Sequence, residues 1–152
     1  MRGTSVVVCP SQEAIASRAL DLVVEGLRTG ITRRGSAHVA LTGGSSAAAL
    51  FALLRSDPRA ARVDWPRVHV WQGDERFVPL DHPDRNWAGA LADWLEADGG
   101  PDAILHPVPV DAAIDGDHDA GWAAERYADE LAAVLPVREG VPSFDVLLLG
   151  MG

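Results

Sequence analysis

His38-Val39-Ala40-Leu41-Thr42-Gly43-Gly44-Ser45-Ser46-Ala47-Ala48-Ala49-Leu50-Phe51 decides the fold of this chain. The run His38 to Thr42 reads as a short strand, and the alanine-rich run with Leu50, Phe51, Leu53 and Leu54 reads as a compact helix that ends near Asp57-Pro58. Two glycines and two serines join them. A strand turning directly into a helix is the unit of an α/β fold, and the same alternation continues in both directions. Upstream, Ser5 to Cys9 reads as a first strand. Ser11 then caps a helix carrying Ile15, Ala19, Leu22, Val23 and Leu27 at helical spacing, with Gly30 as its stop. Downstream, Val68 to Gln72 is a strand, and a loop from Gly73 to Pro83 leads to a helix with Trp87, Leu91, Trp94 and Leu95 on one face. The tryptophans there are expected in the core, and Gly99-Gly100-Pro101 ends the helix. Leu105 to Val110 holds two prolines and is expected as an edge strand or extended connection, followed by an acidic loop from Asp111 to Asp119. Ala123, Tyr127, Leu131, Val134 and Leu135 mark a further helix stopped by Pro136. Phe144 to Leu149 is a continuous apolar run of the kind found in a buried parallel strand. The expected fold class is therefore α/β, an open and largely parallel sheet flanked by helices.

At 152 residues, 47% of them apolar and 23% charged, the chain is the size of one ordinary domain. Its formal net charge of −9 speaks against a nucleic-acid partner, since phosphate backbones are bound through clustered Lys and Arg. Any anionic ligand must find a local positive site. All 13 basic residues are Arg, so Schiff-base chemistry and a Walker-type phosphate lysine have no lysine here to use. Cys9 is the only cysteine, which excludes an intramolecular disulfide and a multi-cysteine metal site. The apolar run Val6-Val7-Val8-Cys9 is shorter than the core of a signal peptide, and no run approaches a membrane span. The expected setting is the cytoplasm, with no membrane partner.

Ligands of open α/β sheets sit beyond the carboxyl ends of the strands, so three loops carry the chemistry. In Thr42-Gly43-Gly44-Ser45-Ser46 the glycines allow close backbone approach and the helix start offers free N–H groups to an anion. The same residues equally suit a tight turn with a serine cap. Gly43-x-Ser45-x-Ala47 also has the outline of a nucleophile elbow, which would need a histidine and an oxyanion loop as well. In Gly73-Asp74-Glu75-Arg76 two carboxylates and a guanidinium could orient hydroxyls, move a proton and bind a phosphate; a solvated charged turn is the plainer reading. Asp81, His82 and Asn86 form the third group, where Asp84 or Asn86 can serve simply as helix caps. Asp115, Asp117 and Asp119 imitate a calcium loop, but Ala120 stands at its glycine position and Arg126 at its final glutamate, so calcium is rejected. The five histidines show no His-Glu-x-x-His or Cys/His pattern, which leaves zinc unsupported and His69 as a strand residue.

Leu41-Thr42-Gly43-Gly44-Ser45-Ser46, then Trp71-Gln72-Gly73-Asp74-Glu75-Arg76-Phe77-Val78-Pro79 with Asp81-His82 and Asn86, and finally Phe144 to Gly152 resemble 6-phosphogluconolactonase, of the glucosamine/galactosamine-6-phosphate isomerase superfamily. The likeness runs through essentially the whole chain in order. Ser46-Ala47 stands where the family usually has Thr-Pro, and Arg85 where it has Ser. The family's final Gly-x-Gly continues into Asp-Gly-His, whose histidine is the expected general base, whereas this sequence ends at Gly152. The resemblance implies a Rossmann-like sheet, with residues 1–152 as the N-terminal part of a longer sugar-phosphate-binding domain, and hydrolysis of 6-phospho-D-glucono-1,5-lactone without metal or organic cofactor. It implies that Gly43, Gly44, Ser45 and Ser46 line the sugar-phosphate pocket, that Arg76 meets the phosphate or developing charge, and that Asp74 and Asn86 position the sugar. The base itself is left unassigned, with Asp74 and Arg76 as supporting catalytic candidates and His82 as a fallback. Glucosamine-6-phosphate isomerase/deaminase is the nearest alternative, although its pattern has Tyr where Arg76 stands. A non-catalytic sugar-phosphate-binding domain is the alternative from another class. With the strand Phe144 to Leu149 ending the chain, exposed apolar surface and self-association are expected.

Overall fold

In the computed structural model residues 4–150 are described, apart from the side chains of Ser45 and Ser46. Four parallel strands form the sheet in the order β3-β2-β1-β6, where β1 is Ala37–Leu41, β2 Val68–Gln72, β3 Ile104–His106 and β6 Val146–Leu147. A separate two-stranded hairpin, β4 (Val137–Arg138) with β5 (Val141–Pro142), lies between the helix α5 (Ala120–Val134) and β6 in the chain. Its turn places Glu139 and Gly140 at positive φ, 52° and 82°. Positive φ at both central residues is the geometry that Asn-Gly usually signals, so Glu-Gly hid the hairpin in the sequence.

The expected strand Ser5 to Cys9 does not form. Residues 4–9 are unpaired, with Val6 and Val8 almost fully exposed. Both flanks of the central strand β1 are already taken, by β2 and β6, and four apolar residues offer little to hold a further edge. Ser11 does cap α1 (Gln12–Arg34), its hydroxyl accepting from the Ala14 N–H at 3.2 Å. The helix runs through Gly30 and stops at Gly35, whose φ of 84° gives the left-handed C-terminal turn. Gly30 is an approach point: a Cβ there would meet the Ala37 methyl at 2.9 Å and the Asp145 carboxylate at 2.7 Å.

Alternation along the strands builds two layers. Ala37, Val39 and Leu41 of β1 with Val68 and Val70 of β2 pack against Leu20, Val23 and Leu27 of α1, Leu50, Phe51 and Leu54 of α2 (Ser45–Ser56), and Trp87 and Trp94. The tryptophans are core, as expected. Trp87 lies in α3 (Asn86–Ala90) and Trp94 in the π-helical turn Leu91–Leu95 that continues it. On the other face Ala40 and Trp71 are covered by Tyr127, Leu131 and Leu135 of the α5 region (Ala120–Val134) and by Phe144. Here His38, His69 and His106 stack across the three strands, His38 on His69 at 4.5 Å and His69 on His106 at 5.1 Å between ring centroids. His106 bonds Glu130 through Nδ1 at 2.5 Å and shares a hydrogen bond through Nε2 with His69 Nδ1 at 2.8 Å.

The expected acidic loop from Asp111 opens instead as a helix, α4 (Val110–Asp115), because Val110 and Ala113 have a core to enter. The run Phe144 to Leu149 is parallel, as expected, but only Val146–Leu147 pair, on an edge, and Leu147 and Leu149 are 51% and 76% exposed. What anchors this edge is Asp145. Its carboxylate, 5% exposed, accepts from the His38 N–H at 3.0 Å and pairs with Arg34 at 2.5 Å and Arg138 at 3.1 Å.

Candidate active site

β1 pairs with β2 on one side and with β6 on the other, so the strand order reverses beside β1. A crevice opens at the carboxyl ends of strands at such a reversal, since the connections leave in opposite directions. The cleft here has a volume of about 890 Å³ and is lined by Thr42, Gly43 and Gly44 after β1, Gly73, Asp74 and Arg76 after β2, Asn86 and Asp93 from the α3 segment, and Leu148 to Gly150 after β6. Gly43, Gly44, Asp74, Arg76 and Asn86 are thus brought together. The side chains of Ser45 and Ser46 lie outside the described residues. A smaller groove of about 500 Å³ runs along the outer side of α1, but its Arg59 is already paired with Asp21 and Asp57.

The two glycines are required for different reasons. Gly44 has φ 93° and ψ 174°, a conformation open to glycine and costly for other residues. Gly43 is a contact: a Cβ there would meet Asn86 Cγ at 2.6 Å, with Oδ1 closer still. The Asn86 amide in turn donates to the Asp74 carboxylate at 3.2 Å. Helix α2 begins directly after Gly44, and the Gly44 carbonyl accepts from Ala47 and Ala48 at 3.1 Å. The first N–H groups of a helix have no acceptor of their own and favour an anion, so this end of the cleft is polarised toward one.

Glu75 is not a solvated charge. Its side chain is 1% exposed, and the carboxylate collects five donors: the Arg76 and Asn86 N–H groups at 2.8 Å on Oε1, and Gln72 Nε2 at 2.6 Å, Arg85 Nε at 2.9 Å and the Trp87 N–H at 3.0 Å on Oε2. Burial alone would raise its pKa; the Arg76 N–H, the Gln72 amide and the Trp87 and Asn86 N–H groups outweigh it and hold the carboxyl below its ordinary value. Arg85 was missed in the sequence, where it looks like one more surface charge. Its guanidinium is fully buried, donating also to the Val78 carbonyl at 2.6 Å and in a fork to Asp111 at 3.0 and 3.2 Å. Gln72 was likewise missed: its amide donates to Glu75 and accepts from the Val108 N–H at 2.6 Å, while its backbone is held at both N–H and C=O by the Tyr127 hydroxyl.

Arg76 is exposed, lines the cleft and has no ion-pair partner among the described residues. It can meet an anion without first breaking a bond. Asp74, Asp84 and Asp93 share the lining, which suits a ligand whose remainder is hydroxylated. None of the described histidines lines the cleft. His82 sits on the turn before it, accepting from the Asp84 N–H at 3.2 Å, and His38, His69 and His106 belong to the opposite layer. Asp74 is in the cleft.

The reversal of strand order, the glycine turn at positive φ and the unpaired arginine define an α/β domain with an open, polar cleft at its strand ends. Residues 10–152 match the profile of glucosamine-6-phosphate isomerases/6-phosphogluconolactonase, and the chain belongs to that family. Among its relatives, the 6-phosphogluconolactonases of Synechocystis sp. and Streptomyces coelicolor are 36% and 41% identical over 97% and 92% of this chain, and 58% and 52% of their own. The solved 6-phosphogluconolactonase from Trypanosoma cruzi superposes with a TM-score of 0.78 at 26% identity, covering 99% of this chain and 59% of that one. The chain therefore spans little more than half the length of these relatives. No helix among the described residues is long and apolar enough to cross a membrane.

Proposed function

We propose that this chain supplies the sugar-phosphate half of a 6-phosphogluconolactonase site, and that the reaction served is hydrolysis of 6-phospho-D-glucono-1,5-lactone in the oxidative pentose phosphate pathway, in the cytoplasm. The observation that carries the reading is the unpaired Arg76 beside the Gly43-Gly44 turn in the cleft between β1, β2 and β6. Arg76 and the start of α2 take the phosphate, while Asp74 and Asn86 accept and donate to ring hydroxyls. In the reaction water adds to the lactone carbonyl, the bond from that carbon to the ring oxygen breaks, and the ring oxygen takes a proton, leaving the open acid as its carboxylate. A general base removes the water proton as attack proceeds, and donors near the carbonyl oxygen lower the barrier. The resemblance assigns the base to the histidine of an Asp-Gly-His following the Gly150-Met151-Gly152 pattern. Arg76 in place of the deaminases' tyrosine favours the lactonase over the isomerase.

The test compares residues 1–152 with the same chain extended through an Asp-Gly-His continuation from a relative. Acid release is followed from freshly generated lactone against a no-enzyme control, with glucosamine 6-phosphate as the competing substrate. Turnover of the lactone by the extended chain, removed by changing that histidine to Ala, is the expected result. Equal turnover by the 152-residue chain would move the base to Asp74, and turnover of glucosamine 6-phosphate alone would overturn the lactonase reading.

A further inference from the structure

We propose that Arg85 is a positioning residue for the cleft, acting through Glu75 to set Arg76 and Asn86 for the phosphorylated ligand; the ligand, though not the positioning, rests on the function proposed above. Arg85 borders the cleft with its backbone only, since its side chain is fully buried and its guanidinium is turned to Glu75 and Asp111. Its Nε donates to the same Glu75 oxygen that receives Gln72 and Trp87, and the other Glu75 oxygen holds the N–H groups of Arg76 and Asn86. Both ligand-facing residues thus hang on one carboxylate. Arg85 fixes that carboxylate from behind: its remaining donors reach the Val78 carbonyl and the fork to Asp111 on α4, tying the loop 73–86 to a second element.

The arrangement also explains the chemistry of the position. A serine cannot reach three acceptors at once, and a lysine has the charge without the planar fork that spans Glu75 and Asp111. A buried carboxylate with four neutral donors remains bonded when Arg85 becomes Lys, but it loses the Nε bond and with it its fixed direction. Arg76 and Asn86 then sample more orientations, and affinity falls through preorganisation while no ligand contact is deleted.

The experiment uses Arg85→Lys, with Asp111→Asn as a milder variant that leaves the Glu75 bond in place. Each is titrated with 6-phosphogluconate and with gluconate at a temperature where circular dichroism shows it folded. Arg85→Lys is expected to weaken 6-phosphogluconate about tenfold, the scale of one lost hydrogen bond, and Asp111→Asn by less. In an Arg76→Ala background the Arg85→Lys effect should shrink, since the residue it positions is gone; an undiminished effect would refute action through Arg76. Amide hydrogen exchange at Arg76, Asn86 and Trp87 supplies a readout that needs no ligand. Faster exchange at these three in Arg85→Lys supports positioning even if the wild type binds no sugar phosphate, an outcome that would sink the functional reading alone. A lower melting temperature with unchanged affinity and unchanged exchange at the three amides would make Arg85 merely structural and overturn the proposal.

Discussion

Changing Gly43 to Ala tests the contact on which the cleft is built. The added methyl would stand 2.6 Å from Asn86 Cγ and nearer to its Oδ1, well inside van der Waals contact, so the Asn86 amide must leave. Leaving breaks its bond to the Asp74 carboxylate at 3.2 Å. Overpacking of this kind costs about 1–3 kcal/mol, and a partly exposed hydrogen bond contributes about 1 kcal/mol, so a loss of about 2–4 kcal/mol is expected. Gly43 is not at positive φ, which keeps the argument purely steric. That makes the effect reversible by a second change. Asn86→Ala removes the colliding amide and should itself cost about 1 kcal/mol; combined with Gly43→Ala, the pair should be more stable than the sum of the single losses by at least about 1 kcal/mol. Urea unfolding of the four proteins gives the cycle, with the denaturant slope checked for constancy. Strictly additive losses would show that the methyl is tolerated by backbone movement and that Asn86 is not what Gly43 makes room for.

Arg76→Ala should weaken 6-phosphogluconate by about 1.5–3 kcal/mol and gluconate hardly at all, measured by calorimetric titration; equal losses would make Arg76 a support of the loop. Gly44→Val should abolish binding while the chain stays folded, because the φ of 93° strains any β-branched residue; unchanged 6-phosphogluconate affinity would remove the turn from the site. His38 is pushed down to about 4, first by burial, then by His69, against an upward pull from Asp145, while its Nδ1 accepts the Trp71 indole N–H at 3.2 Å. A folded value below the unfolded one means that the unfolded chain binds the extra proton, so stability is complete above about pH 6.5 and is lost as pH falls toward 4. Urea unfolding should show about 2 kcal/mol less stability at pH 5 than at pH 7.5, with His38→Asn flattening the slope; an equally steep slope in that variant would clear His38.

The parts of this fold that were legible in the sequence are those fixed by local spacing. Val68 to Gln72 coincides with β2, Ser11 caps α1, and the helices at 45–56 and 120–134 follow their apolar periods. Gly30 was misread as a stop because a glycine chosen for a helix-to-strand approach looks the same in sequence as one chosen for a turn. Of the cleft, Gly43, Gly44, Asp74, Arg76 and Asn86 were visible as strand-end residues, and they do meet there. Glu75 and Arg85 were not separable from surface charge. Their burial depends on hydrogen-bond partners contributed by four separate stretches of chain, donors at Gln72 and at 85–87 and acceptors at Val78 and at Asp111, and no local pattern encodes that convergence.

The pairing of β6 with β1 has a kinetic side. The His38 N–H and the Asp145 carboxylate that accepts it are 107 positions apart, and closing so long a loop costs about 4 kcal/mol of chain entropy by the logarithmic estimate. Strands β1, β2 and β3 can assemble with α1 and α2 before that cost falls due, whereas β6 must be captured across nearly the whole chain. Only two β6 residues pair, so the Asp145 carboxylate with Arg34 and the His38 N–H must supply much of the holding energy. β6 is therefore expected to pair after β1, β2 and β3, and the wall of the cleft formed by Leu148 to Gly150 to close with it. Weakening Asp145 should leave the refolding rate nearly untouched and quicken unfolding, so the lifetime of a complete cleft is set by how long one carboxylate keeps its partners.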